Sequence, residues 1–242
     1  MSDTPAQTPL PPLYGSLAPL TALQHGRLKL RPAGYGFARH MPAVPLAVEE
    51  FPQAARHMGV VFATQPPHLP LAILGSGSAH HLFIDAAGGW QPGVYLPAYL
   101  RRYPFLLVRL NAGSEEMALC VDAGAEQLSE AEGEALFDEA GKPSAAAQAR
   151  FEFARALEGS FRRTHEFAKA LAEMKLLAPA ALHFELDGRP MRVDGFHAVQ
   201  REALQALSPT QLAELRDKGW LEAIYAHLFS VAALQAVARP AG

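Results

Sequence analysis

Apolar residues change their spacing partway along the chain. Up to about residue 122 they come in short runs separated by Gly, Pro, Asn and Ser; from about residue 129 they mostly recur every three or four positions. The first pattern predicts strands and the second predicts helices. Five runs read as strands: 60–64 (Val60-Val61-Phe62-Ala63-Thr64), 69–74, 81–85, 105–110 and 117–122. Turn residues stand between them at Gly75-Ser76-Gly77-Ser78, Gly88-Gly89 and Asn111-Ala112-Gly113-Ser114. Without a helix-length crossover between most of these runs, antiparallel pairing is expected. The exception is 90–104, where Pro92, Pro97 and Pro104 alternate with Trp90, Tyr95, Tyr99 and Tyr103. This stretch predicts a packed loop with a helical turn at 97–102. Residues 34–52 predict irregular or short-stranded chain, and 49–57 one or two helical turns.

Beyond residue 129 the helix signals accumulate. Ser129 and Glu132 have the spacing of a capping box, which predicts a short helix to Glu139, broken by Gly141-Lys142-Pro143. The strongest helix is expected over 144–175, with Phe151, Ala154, Leu157, Phe161, His165, Ala168 and Leu171 on one face and Pro179 as its stop. A hairpin is expected from 182–186 and 191–193 around Asp187-Gly188. Ser208, Pro209 and Gln211 start another helix, and Gly219 ends it. The last helix, 220–237, places Leu221, Ile224, Leu228 and Val231 together. The fold class read from this pattern is α+β: an N-terminal antiparallel β-sheet packed against C-terminal α-helices. Residues 1–20, rich in Pro, Thr and Ser, read as a flexible tail. Residues 21–242 read as a single domain, β-rich over 60–122 and helix-rich over 129–237.

Composition narrows the chemistry. Of 242 residues, half are apolar and 19% charged, against about 25% in an average domain. The chain has enough apolar residues for a real core, so wholesale disorder is not expected. The formal charge of −3 supplies no electrostatic footprint for nucleic acid. The single cysteine, Cys120, allows neither an internal disulfide nor a thiolate cluster, and its mid-strand place predicts a buried, inert thiol. No apolar run reaches the ~20 residues of a spanning helix, and the N-terminus lacks the basic and apolar regions of a signal peptide. The expectation is a soluble cytoplasmic protein without membrane insertion, with signal-independent export left open.

Candidate chemistry is sparse. Ten histidines are present, yet none stands at a metal-ligand spacing with a third partner, so no metal and no cofactor are expected. Gly75-Ser76-Gly77-Ser78 lacks the Lys and the following helix of a phosphate loop. No nucleophile elbow occurs. The feature that stands out is Arg101-Arg102-Tyr103 among aromatics, because guanidinium groups grip carboxylate or phosphate bidentately. The competing reading pairs one arginine with a nearby acid such as Asp85 or Asp122. His227 poses a similar choice between a base and a packed, satisfied side chain.

These motifs resemble those of the SapC family of bacterial proteins. The similarity runs through Pro45-Leu46-Ala47-Val48-Glu49-Glu50-Phe51 and Val60-Val61-Phe62-Ala63, then Leu82-Phe83-Ile84-Asp85 with Gly89-Trp90. Its most specific block is Tyr95-Leu96-Pro97-Ala98-Tyr99-Leu100-Arg101-Arg102-Tyr103-Pro104-Phe105. It continues through Leu119-Cys120-Val121-Asp122, Gly141-Lys142-Pro143-Ser144 and Gly219-Trp220-Leu221 to Ile224-Tyr225-Ala226-His227-Leu228. Where family members often carry Tyr-Pro before Val-Val-Phe, this chain has His57-Met58-Gly59.

The resemblance implies an accessory role beside surface or TonB-dependent uptake systems, and no catalytic residue set. It is distinct from the peptide-transporter permease of the same name, which needs several spans. The leading expectation is therefore a soluble, non-catalytic accessory or binding protein whose partner is a protein or a small anionic ligand. Its candidate ligand residues are Arg101, Arg102, Tyr103, Asp85, Asp122 and His227. Two alternatives stand beside it: an enzyme with an unfamiliar Arg/Asp/His site, and a surface-layer subunit.

Overall fold

The computed structural model describes residues 10–75, 81–109, 116–186 and 189–237. The expected turns at 76–78, 111–114 and 187–188, and residues 1–9 of the expected tail, lie outside these. In chain order the elements begin with β1 (Leu17–Pro19), α1 (Ala22–His25), β2 (Lys29–Leu30), β3 (Ala43–Pro45), α2 (Phe51–Ala54), β4 (Val60–Ala63) and β5 (Pro70–Ile73). Next come α3 (Ala98–Arg101), β6 (Phe105–Arg109), β7 (Met117–Asp122), β8 (Leu128–Ser129) and β9 (Glu134–Ala135). The chain continues with α4 (Ala145–Glu173), β10 (Leu177–Leu186), β11 (Arg189–Val199), α5 (Arg201–Gln205), α6 (Pro209–Asp217) and α7 (Trp220–Val237). The ladders between these strands are antiparallel. The α+β class read from the sequence is the class observed, with most strands early and the long helices late. Contacts divide the chain into two compact units, Met1–Ala33 with Arg102–Arg155, and Gly34–Arg101 with Ala156–Gly242.

The first unit holds two three-stranded sheets, ordered β1-β7-β6 and β8-β2-β9. β6 and β7 pair antiparallel, as two short apolar runs separated by a turn lead one to expect, with Phe105 opposite Val121 and Leu107 opposite Leu119. Their outer partner is β1, built from residues that composition assigned to a tail. Just before it, the Tyr14 hydroxyl donates to the Phe105 carbonyl oxygen at 2.8 Å, fixing this segment to β6. Phe105, Val121, Leu136, Phe137 and Ala147 form the buried core, with Leu20, Leu28 and Leu30 packed on it.

The helix expected over 129–139 is not formed. Ser129 does act as a local cap, its Oγ accepting from the amides of Ala131 (3.1 Å) and Glu132 (3.3 Å). Gly133 then takes φ 113° and turns the chain back onto β2. A Cβ there would stand 2.5 Å from the Leu30 carbonyl oxygen, so this approach demands glycine. The side-chain signal for a helix start is the same one that closes a tight turn.

The second unit is built on a five-stranded sheet ordered β10-β11-β4-β5-β3. The expected C-terminal hairpin is present but longer, and its inner strand β11 pairs with β4 of the early chain. The strands expected between 60 and 122 are thus divided between the units, β4 and β5 here and β6 and β7 in the first. The run at 81–85 forms no strand, only isolated bridges of His81 to Gly75 and Ile84 to Trp90. Asp85 accepts from the Gly89 amide at 2.8 Å, and Gly88 at φ 87° closes that loop.

α4 spans the stretch predicted for it, but its end and its face differ. Lys175 in the left-handed region (φ 55°) stops it, and Pro179 lies within β10. Its buried positions include Ala147, Ala154, Leu157, Thr164, Phe167, Ala168 and Leu171, whereas His165 faces out. α6 begins with the expected Ser208–Gln211 capping box, and Gly219 at φ 71° follows its C-cap. Phe51, Phe62, Phe167 and Trp220 make an aromatic core with ring centres 5.5–6.3 Å apart. No helix among the described residues is long and apolar enough to cross a membrane.

Candidate functional site

The arginine–aromatic block straddles the unit boundary, with Arg101 in the second unit and Arg102 in the first. In the second unit the organising residue is Glu50, only 7% exposed at the end of a 3₁₀ turn (Val48–Glu50). Its Oε2 accepts from the Ala47 amide at 2.8 Å. Its Oε1 accepts from the Ala98 amide at 2.7 Å, at the first residue of α3, and from the Tyr95 hydroxyl at 2.8 Å. A buried carboxylate is tolerated because three donors replace its water.

Tyr95 carries the arrangement outward. Burial, and then the adjacent Glu50 charge, holds its phenol above the usual range, so it remains a donor to the carboxylate. Its oxygen in turn accepts from Arg101 Nη2 at 3.4 Å, and the Arg101 guanidinium carbon lies 5.9 Å from the Tyr95 ring centre. Arg101, the last residue of α3, is exposed. The chain Glu50–Tyr95–Arg101 therefore runs from a buried carboxylate to a cation at the surface. Glu50 was not among the residues singled out from sequence. Sequence places it within the Pro45–Phe51 family motif, but as the second acid of Glu49-Glu50 it reads equally as part of a solvated pair.

The other residues of the block are built into the first unit. Arg102 is 6% exposed, with its guanidinium carbon 5.7 Å from the Tyr14 ring centre. Tyr14 packs on Tyr103 at 5.5 Å. The Tyr103 hydroxyl donates to Asp122 Oδ2 at 3.5 Å, and burial followed by the Asp122 charge pushes its pKa up to about 12. Asp122, 4% exposed, also accepts from the amides of Gly15 (2.8 Å), Ser16 (3.2 Å) and Gly124 (3.3 Å). So Arg102, Tyr103 and Asp122 do come together, around the N-terminal segment. Their geometry orders that segment, which is a structural role for Asp122 beside the ligand role expected of it.

Asp85 and His227, in the second unit, have separate partners. Asp85 is exposed and caps its own loop, while its carbonyl oxygen receives Arg39 Nη2 at 2.8 Å. His227 is fully buried. Its Nδ1 donates to the Val60 carbonyl oxygen at 2.7 Å, and its Nε2 accepts from the Val199 amide at 3.0 Å. Burial lowers its pKa to about 4, even though the Val60 carbonyl favours the protonated ring. Both ring nitrogens are committed to backbone, the arrangement expected of a packed, satisfied side chain. Ser230 completes the same contact, its Oγ accepting from the Val60 amide at 3.0 Å.

Two further observations bear on chemistry. Among the described residues no group of three or more His, Cys, Asp or Glu could hold a metal ion. A pair of histidines does meet, His68 and His197, with Nδ1 atoms 3.2 Å apart, but two side chains do not make a coordination shell. Cys120 is buried, and burial raises its thiol pKa, which leaves it in the protonated, unreactive form.

Of the six candidates, exposed Arg101 is held by a side-chain network anchored in the interior. The comparisons with known proteins agree with the sequence motifs on family. A family model described as SapC matches residues 20–237, nearly the whole chain. No curated protein and no solved structure matches it. With that coverage, the chain belongs to the SapC family.

Proposed function

We propose that this SapC-family member is a non-catalytic binding protein, an accessory to surface or uptake machinery, that holds an anionic group of its ligand or partner through Arg101. The observation that carries this reading is the Glu50–Tyr95–Arg101 chain. A surface arginine ordinarily spends side-chain entropy when it binds. Here Tyr95, fixed by a buried carboxylate, holds the guanidinium by both a hydrogen bond and ring contact, so less freedom remains to be lost. A guanidinium oriented in this way suits bidentate recognition of phosphate or carboxylate. The commitment of His227 and Asp122 to backbone groups supports binding over catalysis, since neither side chain is left to move a proton.

The test is affinity capture from the native host with the wild-type chain and Arg101→Ala. Arg102 is left intact, because its burial makes any change there a folding variant. A partner retained by the wild-type chain and lost by a folded Arg101→Ala supports the reading. Capture that is indifferent to Arg101 overturns it.

A further inference from the structure

A cleft of about 310 Å³ opens on the first unit, apart from the arginine site. Leu20, Leu119, Phe137, Ala147 and Phe151 line it. Phe137 and Ala147 belong to the buried core, and Leu20 and Leu119 pack against that core. The floor is therefore held by β7, the segment entering α1, the first turns of α4 and the loop before α4 that carries Phe137 and Pro143. Its size is at the lower end for ligand pockets (roughly 300–1,000 Å³), and such pockets join an apolar body to a few placed polar groups.

The polar side chains here offer mainly acceptors. Gln148 and Glu152, one turn apart on α4, stand at the cleft. One N–H of the Gln148 side-chain amide donates to the Pro143 carbonyl oxygen at 3.0 Å, which fixes the side chain and leaves its oxygen to accept and one N–H to donate. Glu152 is exposed and supplies a carboxylate, also an acceptor and negative. An apolar hollow with acceptors and a negative charge at its rim suits a donor-bearing, positively charged head on a short apolar body.

We infer that this cleft binds small cationic amphiphiles: a short alkyl or single-ring body against Leu119, Phe137 and Phe151, with an ammonium head at Glu152 and the Gln148 carbonyl. This goes beyond the Arg101 reading and is independent of it, since the charge preferences of the two sites are opposite.

The test uses hexylammonium, hexanoate and hexan-1-ol as probes of equal body and different head, titrated into the full chain by NMR. Hexylammonium should bind saturably, shifting the amides of Leu119, Phe137 and Ala147. Hexanoate should bind more weakly than hexan-1-ol. Glu152→Gln should weaken hexylammonium about two- to fivefold, the range expected of an exposed ion pair, and leave hexan-1-ol unchanged. Leu119→Trp should fill the cleft and abolish binding of all three. If that variant fails to fold, Phe151→Trp reports occupancy through its fluorescence instead. Absence of saturable binding by hexylammonium, hexanoate binding equal to hexylammonium, or head-group preference unaltered in Glu152→Gln would each overturn the inference.

Discussion

The Tyr95 hydroxyl donates to Glu50 Oε1 across 2.8 Å and 45 positions of sequence, tying the segment that leads into the arginine-bearing α3 to a carboxylate in the interior. Removing either partner should tell the two apart. Tyr95→Phe deletes one charge-assisted bond and should cost about 1.5–3 kcal/mol. Glu50→Ala also strands the buried Ala47 and Ala98 amides and should cost more, about 3–5 kcal/mol. Urea unfolding of the two variants measures the difference.

His227 makes stability depend on pH. Its pKa is lowered in the folded state to about 4 from 6.5, so between those values the unfolded chain binds the extra proton. The stability it contributes is complete above pH 6.5 and declines as pH falls toward 4, by roughly 3 kcal/mol in full. His81, also lowered to about 4 by burial and then by Arg39, acts in the same direction. The share belonging to His227 is therefore the difference between wild type and His227→Gln, followed by chemical unfolding across that window. Wild type should lose stability more steeply.

Asp122 should control the order of the N-terminal segment. Asp122→Ala removes the acceptor for Gly15 and Ser16, and hydrogen exchange at those amides should quicken with a loss of about 2–4 kcal/mol. Tyr103 should then titrate below about 12 but still above 10, because burial is the larger cause of its shift and remains. Ultraviolet titration of wild type and variant reads this directly.

Gly133→Ala should destabilise the first unit by roughly 1–3 kcal/mol, through the strained φ and the clash with the Leu30 carbonyl. Were the segment the helix that Ser129 and Glu132 suggest, the same change would stabilise it by roughly 1 kcal/mol. Thermal unfolding distinguishes the two signs.

These residues also show where sequence reasoning succeeds and where it stops. The long helix α4, the capping box of α6 and the pairing of β6 with β7 rest on local periodicity and caps, and local signals suffice for them. The turn at Ser129–Gly133 fails because a cap is a local act, whereas the strand that receives it, β2, lies a hundred positions away. The same holds for the site. Arg101 stands out among aromatics, but whether Asp122 faces a ligand or the Gly15 amide depends on pairings that only the fold supplies. Glu50 was missed for the complementary reason: an acid beside an acid looks solvated until Tyr95 and Ala98 are folded over it.

The most direct test of the central claim is an NMR titration of the full chain with inorganic phosphate, following the Arg101 side chain and the Tyr95 and Ala98 amides. The account predicts saturable shifts there, weakened about tenfold or more in Arg101→Ala, the value of a charge-assisted hydrogen bond, and partly restored in Arg101→Lys. The unfolding midpoint of Arg101→Ala should match wild type. Shifts that never saturate, or that persist unchanged in a folded Arg101→Ala chain, would contradict it.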